Sequence, residues 1–147
     1  FLPISYGWRG LGFPALSPQQ LTVGAMIKLI AMIRRKAGLS RQEFIDYYEG
    51  THVPFVTRAS GQDFVDYRRN YVCEELTGAE TGESGSDPYD VVAEVWFADR
   101  DALDRLLARM TDSPWAKELA TDEDRFVDRA SMRMFVTDDA VPIASAY

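Results

Sequence analysis

The chain contains a single histidine, His52, which follows Phe44 and Tyr48 at intervals of four, so a helix would carry all three on one face. Imidazole is the side chain that exchanges protons near neutrality, and His52 is therefore the first candidate for a general acid or base. If that helix stops at Pro54, the macrodipole at its C-terminus favours a positive ring. A structural role, capping the last carbonyls, is equally open. Tyr67 and Tyr71 alternate onto one face of a period-2 segment, where phenols could polarise a carbonyl or stabilise an enolate. Glu94 lies between Ala93 and Val95 in the most apolar segment: on a buried face it must be paired or protonated, and on the other face it simply meets solvent. Tyr48, Trp96 and Phe126 are the aromatics expected to touch a flat apolar ligand, with ordinary core packing as the alternative for each. The acidic run TDEDRFVD reads as a solvated helix start, with cation binding as the other possibility.

Other chemistries lack their residues. With one histidine and one cysteine, Cys73, neither a His-rich zinc site nor an intrachain disulfide can form, and a reducing, cytoplasmic setting is expected. No G-x-S-x-G elbow, C-x-x-C pair or P-loop occurs. The stretch GLGFPA from Gly10 loosely matches a dinucleotide fingerprint, but no strand precedes it and Pro14 interrupts it. A net charge of -7 without any basic run argues against nucleic acid, and no apolar stretch approaches the roughly 20 residues that span a bilayer. The expected partners are thus a small molecule and a second copy of the chain; no cofactor and no metal are expected.

These residues need a scaffold. Residues 1–25 hold Pro3, Pro14 and Pro18 with unpatterned aromatics and read as an N-terminal arm, without the basic and apolar regions of a secretory signal. The arm is either an upstream extension or an appended segment. From Met26, MIKLIAMIRR suits a buried strand. Ser40 with Glu43 at capping-box spacing, and Leu39 with Phe44 at staple spacing, start a helix that Pro54 is expected to end. The alternating strand DFVDYRRNYV follows, then a Gly/Ser/acidic loop from Thr77 to Pro88, expected to be a mobile flap. YDVVAEVWF reads as the third strand. Asp99 then caps a helix bearing Leu103, Leu106, Leu107 and Met110, Ser113-Pro114 opens a shorter one, and Thr121 with Asp124 caps one more turn. ASMRMFVT is the last strand and residues 139–147 form a tail.

The order β-α-β-β-α-β over residues 26–138 is that of a ferredoxin-like α+β unit. Helices cover one face of such a sheet. Val91, Ala93, Val95, Met132, Met134 and Val136 are the apolar residues available to whichever face remains, with a two-fold partner as the simplest cover.

The blocks IKLIAMIRRKAGLSRQEFIDYYEGTHVPFV, YDVVAEVWFAD and DEDRFVD, in that order, resemble the EthD family. The resemblance implies a dimeric α+β barrel with a pocket between sheet and helices. It also maps the family's helix histidine onto His52, its strand-three acid onto Glu94 and its late acidic turn onto Asp122 and Glu123. The function expected is a cofactor-independent enzyme acting by proton transfer on an aromatic or polyketide-like molecule, through cyclisation, decarboxylation or dehydration. The alternatives are a small cofactor-free or haem-binding monooxygenase and a non-catalytic accessory protein that carries a ligand.

Overall fold

Four antiparallel strands with helices on one face build the chain. The structure, a computed structural model, describes residues 26–76 and 88–138. The expected arm, the loop after Leu76 and the tail lie outside them. The strands β1 (Ile27–Ile33), β2 (Asp66–Tyr71), β3 (Val91–Phe97) and β4 (Arg133–Asp138) stand in the order β2-β3-β1-β4. The fold is thus the expected ferredoxin-like α+β unit.

Side chains of directly opposed residues share a face, so the register assigns both surfaces of the sheet. Tyr67, Val95, Leu29 and Val136 form one row, and Arg69, Ala93, Ala31 and Met134 the next, all toward the helices. Arg68, Glu94, Ile30 and Phe135 form a row on the opposite face, beside Lys28, Trp96 and Asp66. Val91, Ala93 and Val95 therefore lie in the protomer's own core beneath the helices. The uncovered face carries Ile30, Met32, Val92 and Trp96 among charged residues instead. Met134 and Val136 point to the helix side but belong to an edge strand beyond the helices' reach, and are 39% and 46% exposed.

The first helix begins as its sequence dictates: the Glu43 amide donates to the Ser40 hydroxyl and the Ser40 amide to the Glu43 carboxylate. It does not end at Pro54. Helix α1 (Arg41–Tyr47) runs through one π-helical turn (Tyr48–His52) directly into α2 (Val53–Ser60), with Pro54 in the first turn of α2. The Val53 amide donates to the Tyr48 carbonyl five residues back, and this widened turn is where the helix accommodates a ring that offers no amide and crowds the carbonyl four residues before it.

Asp99 caps α3 (Arg100–Asp112) by accepting from the Ala102 amide at 2.8 Å. Helix α4 (Pro114–Glu123) has proline in its first turn, while the Ser113 hydroxyl donates back to the Arg109 carbonyl at 2.6 Å. The acidic run does not start a further helix. It ends α4, after which Val127 forms an isolated antiparallel bridge with Arg35, just beyond the end of β1. Between these layers lie Phe44, Tyr48, Phe97, Leu103 and Phe126, all essentially sealed from solvent.

Because Leu103 is fully buried, Leu103→Ala should cost about 2–5 kcal/mol in urea denaturation. Arg100→Ala, which removes only an exposed pair with Asp104, should stay within about 0.5 kcal/mol.

Candidate functional site

His52 lies inside a continuous helix, at the end of its π-turn, so the expected placement at a C-terminal dipole is replaced by a specific partner. Its Nδ1 stands 2.6 Å from Oδ2 of Asp122, and the Tyr47 hydroxyl donates to Oδ1 of the same carboxylate at 2.8 Å. Tyr47 and His52 are five residues apart. On a regular α-helix they would point about 140° away from each other. A turn closed from residue i to i+5 brings them back toward alignment, so one carboxylate can receive both.

Asp122 is buried near the C-terminus of α4, where the helix dipole disfavours a negative charge. Burial pushes its proton affinity up, yet hydrogen bonds from His52 and Tyr47, helped by the charge of Arg125, outweigh this and hold the carboxyl below the ordinary aspartate range. An ionised Asp122 only accepts hydrogen bonds. A neutral His52 must then carry its proton on Nδ1, leaving a lone pair on Nε2. Among the described residues nothing hydrogen-bonds Nε2. Glu123 behaves oppositely: burial raises its proton affinity, and the charges of His52 and Arg129 offset this only in part.

Against this pair stands a body of rings. Tyr48 meets His52 edge-on at 5.0 Å between centroids, and Phe126 lies 5.0 Å from His52 and 5.3 Å from Tyr48. The Tyr48 and Tyr67 hydroxyls are 3.1 Å apart. Burial drives both phenols upward, Tyr67 to about 12, so near neutrality they remain protonated and able to donate. Tyr71 is raised as well, first by burial and then by the hydrogen bond its hydroxyl donates to Glu49 at 2.7 Å. Arg69 clamps Glu49 through two bonds of 2.9 and 2.7 Å, donates to the Tyr67 carbonyl and lies over the Tyr67 ring.

The structure thus brings together His52, Tyr48, Tyr67, Tyr71 and Phe126. It places Glu94 and Trp96 on the other face of the sheet, where Glu94 accepts from Lys28 and Asn70 at 3.0 Å each and Lys28 covers the Trp96 ring. Glu49 and Arg69 were not singled out in the sequence. Arg69 does share the strand alternation of Tyr67 and Tyr71, and that was the available signal.

The space implied between sheet and helices is filled by these rings. One surface groove of about 950 Å³ runs past Arg34, Lys36, Asp90 and Arg129; another, about 420 Å³, lies between α2 and α4 and meets the cluster only at Asp122. Among the described residues no three His, Cys, Asp or Glu side chains are grouped to hold a metal ion, and no helix is long and apolar enough to cross a membrane.

The EthD domain model matches residues 36–130. Among solved structures, an EthD family protein from Bacillus halodurans is 21% identical, with a TM-score of 0.54 over 78% of this chain and 99% of that one. A hydroxynitrile lyase from Passiflora edulis matches at 14% identity and TM-score 0.53, over 81% of this chain and 97% of its own. SnoaB, a cofactor-independent oxygenase from Streptomyces nogalater, matches at 12% identity and TM-score 0.52, over 82% and 98%. No curated protein matches. At these identities the solved structures establish likeness of fold.

The two neighbouring carboxyls carry opposite linkage. Asp122, lowered in the fold, lends stability that is present above the unfolded value and lost as pH falls through its folded pKa. Glu123, raised in the fold, opposes folding once ionised, and that penalty fades as pH falls through its folded value toward the ordinary carboxylate range. Asp122→Ala should therefore cost about 1.5–3 kcal/mol at pH 7, the worth of hydrogen bonds to a charged group. Glu123→Gln should raise the urea midpoint at pH 7 and lose that advantage by pH 4. Equal effects of the same sign would contradict the assignment.

Proposed function

The chain belongs to the EthD family, and we propose that it is a cofactor-independent enzyme acting by proton transfer on an aromatic or polyketide-like small molecule, with His52 as the base. The observation that carries this reading is the 2.6 Å contact from Nδ1 to a buried, ionised Asp122, which leaves Nε2 as the basic nitrogen. In the reaction Nε2 takes a proton from a carbon adjacent to a carbonyl, from an enol conjugated with one, or from a β-keto acid whose carboxylate then leaves as carbon dioxide. The electron pair moves onto the carbonyl oxygen, and the Tyr67 hydroxyl, paired with that of Tyr48, donates a hydrogen bond to the developing charge. Phenols held protonated by burial suit that task. The ring packing around His52 is of a kind that a flat aromatic guest can join. Asp122 stabilises the imidazolium formed in the step, and cyclisation, decarboxylation or dehydration then returns the proton. Tyr71, its hydroxyl committed to Glu49, acts on Tyr67 through Arg69.

The same reading includes a homodimer. Ile30, Met32, Val92 and Trp96 lie only half-buried on the uncovered face, Phe135 is 40% exposed, and both faces of β4 show apolar side chains. Charges of both signs, Lys28 with Glu94 and Arg68 with Asp66, border them, so a two-fold copy meets a self-complementary mixed surface.

With aromatic polyketide-like substrates, His52→Ala should lower turnover by roughly a hundredfold to ten-thousandfold. Asp122→Asn should also lower it, because an amide can offer nitrogen as readily as oxygen to Nδ1 and no longer fixes the tautomer. Wild-type turnover in His52→Ala would sink the assignment, and oxygen uptake during turnover would move the reaction from the lyase and cyclase group to the oxygenases. Light scattering at micromolar concentration should give twice the 16.6 kDa chain mass, and the monomer mass would refute the pairing.

A further inference from the structure

Asp122 has a second side. The 420 Å³ groove between α2 and α4 ends on it, within the size range of small-ligand sites, about 300–1,000 Å³. One wall is Phe55, stacked on Trp115 at 5.5 Å and 24°. Arg58 of α2, Lys117 of α4 and Arg125 just beyond line the rest. The Arg58 and Lys117 side chains have no ion-pair or hydrogen-bond partner among the described residues, in a chain whose net charge is -7. A concave, partly apolar surface with two uncompensated cations is complementary to an anion that carries a ring. The carboxylates of Glu118 and Asp122 in the same lining favour a single negative charge over a dianion.

We propose that this groove is a second binding site, for a small aromatic carboxylate seated with its ring on Phe55 and its charge between Arg58 and Lys117, and that its occupancy is felt at His52 through Asp122. The coupling is electrostatic and direct. Arg125 lines the groove and is one of the charges acting on Asp122, so an anion there offsets that field and adds a negative charge behind the His52–Asp122 pair. The other groups facing His52 are Glu123 from the end of α4, Tyr48 from its own turn and Phe126 beyond; of these only Glu123 carries charge, and it does not line the groove. A bound carboxylate therefore makes the imidazole more basic without touching the atoms that react.

His52 is the only histidine, so its imidazole proton signal reports this coupling without ambiguity and without any turnover assay. In the untagged full chain, sodium benzoate should raise the His52 titration midpoint saturably by roughly 0.2–0.7 unit, the scale of one partly exposed charge pair. Inorganic phosphate at matched ionic strength should do markedly less. The Arg58→Gln/Lys117→Gln variant, with an unchanged circular dichroism spectrum, should lose the benzoate response. No saturable response, an equal response to phosphate, or a response that survives the double substitution would each overturn the proposal. Because binding is read directly, its failure is separate from any failure of proton transfer by His52.

Discussion

Burial of the Asp122 carboxylate is the constraint on which the rest of the site depends. A carboxylate near the C-terminus of a helix has the dipole against it, and largely withdrawn from water it needs donors at both oxygens. The donors are Tyr47 and His52, which share one helix but not one face of a regular α-helix. The π-turn resolves that conflict by rewinding the backbone between them. In doing so it sets the tautomer of the imidazole and lets a proline sit within the same run of helix. A change that restored regular winding there would strand the carboxylate as well as move the histidine.

The sheet divides the remaining chemistry between its faces. Toward the helices, β2 alternation delivers Tyr67, Arg69 and Tyr71, and the Glu49–Arg69 clamp fixes two of them against Tyr48. Away from the helices the same alternation gives Asp66, Arg68 and Asn70, which with Lys28 and Glu94 form a surface network around Trp96. Glu94 is thus balanced by a cation and an amide at the surface, whereas Asp122 is balanced by proton donors in the interior. The two acids differ in what they can do because only Asp122 is hydrogen-bonded to an imidazole.

Much of this was legible in the sequence, for local reasons. The Ser40/Glu43 capping box, the Asp99 cap and the alternation of β2 are each written within a few neighbouring residues, and each appears as read. What failed depended on tertiary context. Pro54 is a sound stop signal taken alone, but the wider turn before it removes the clash, and no spacing rule announces a π-turn. The acidic run TDEDRFVD looks like a solvated helix start, because its composition cannot reveal that Asp122 faces a histidine 70 positions away. The face of Glu94 was undecidable until the register with β1 and β2 was known, since a shift of one residue would have turned it toward His52.

The fold itself leaves the reaction open, as its likeness both to a lyase and to a cofactor-independent oxygenase illustrates. In this chain a histidine oriented by a buried carboxylate stands beside phenols that burial keeps protonated. On the proposed reading such a site generates a carbanion or enolate and holds it by hydrogen bonds, and the fate of that intermediate belongs to the substrate. An intermediate bearing a leaving group eliminates it, one bearing a second carbonyl cyclises, and a sufficiently electron-rich one can react with oxygen. If His52 is the base, specificity lies less in it than in Tyr48, Tyr67 and Phe126, whose rings fill the space beside it and must part before a substrate can reach Nε2.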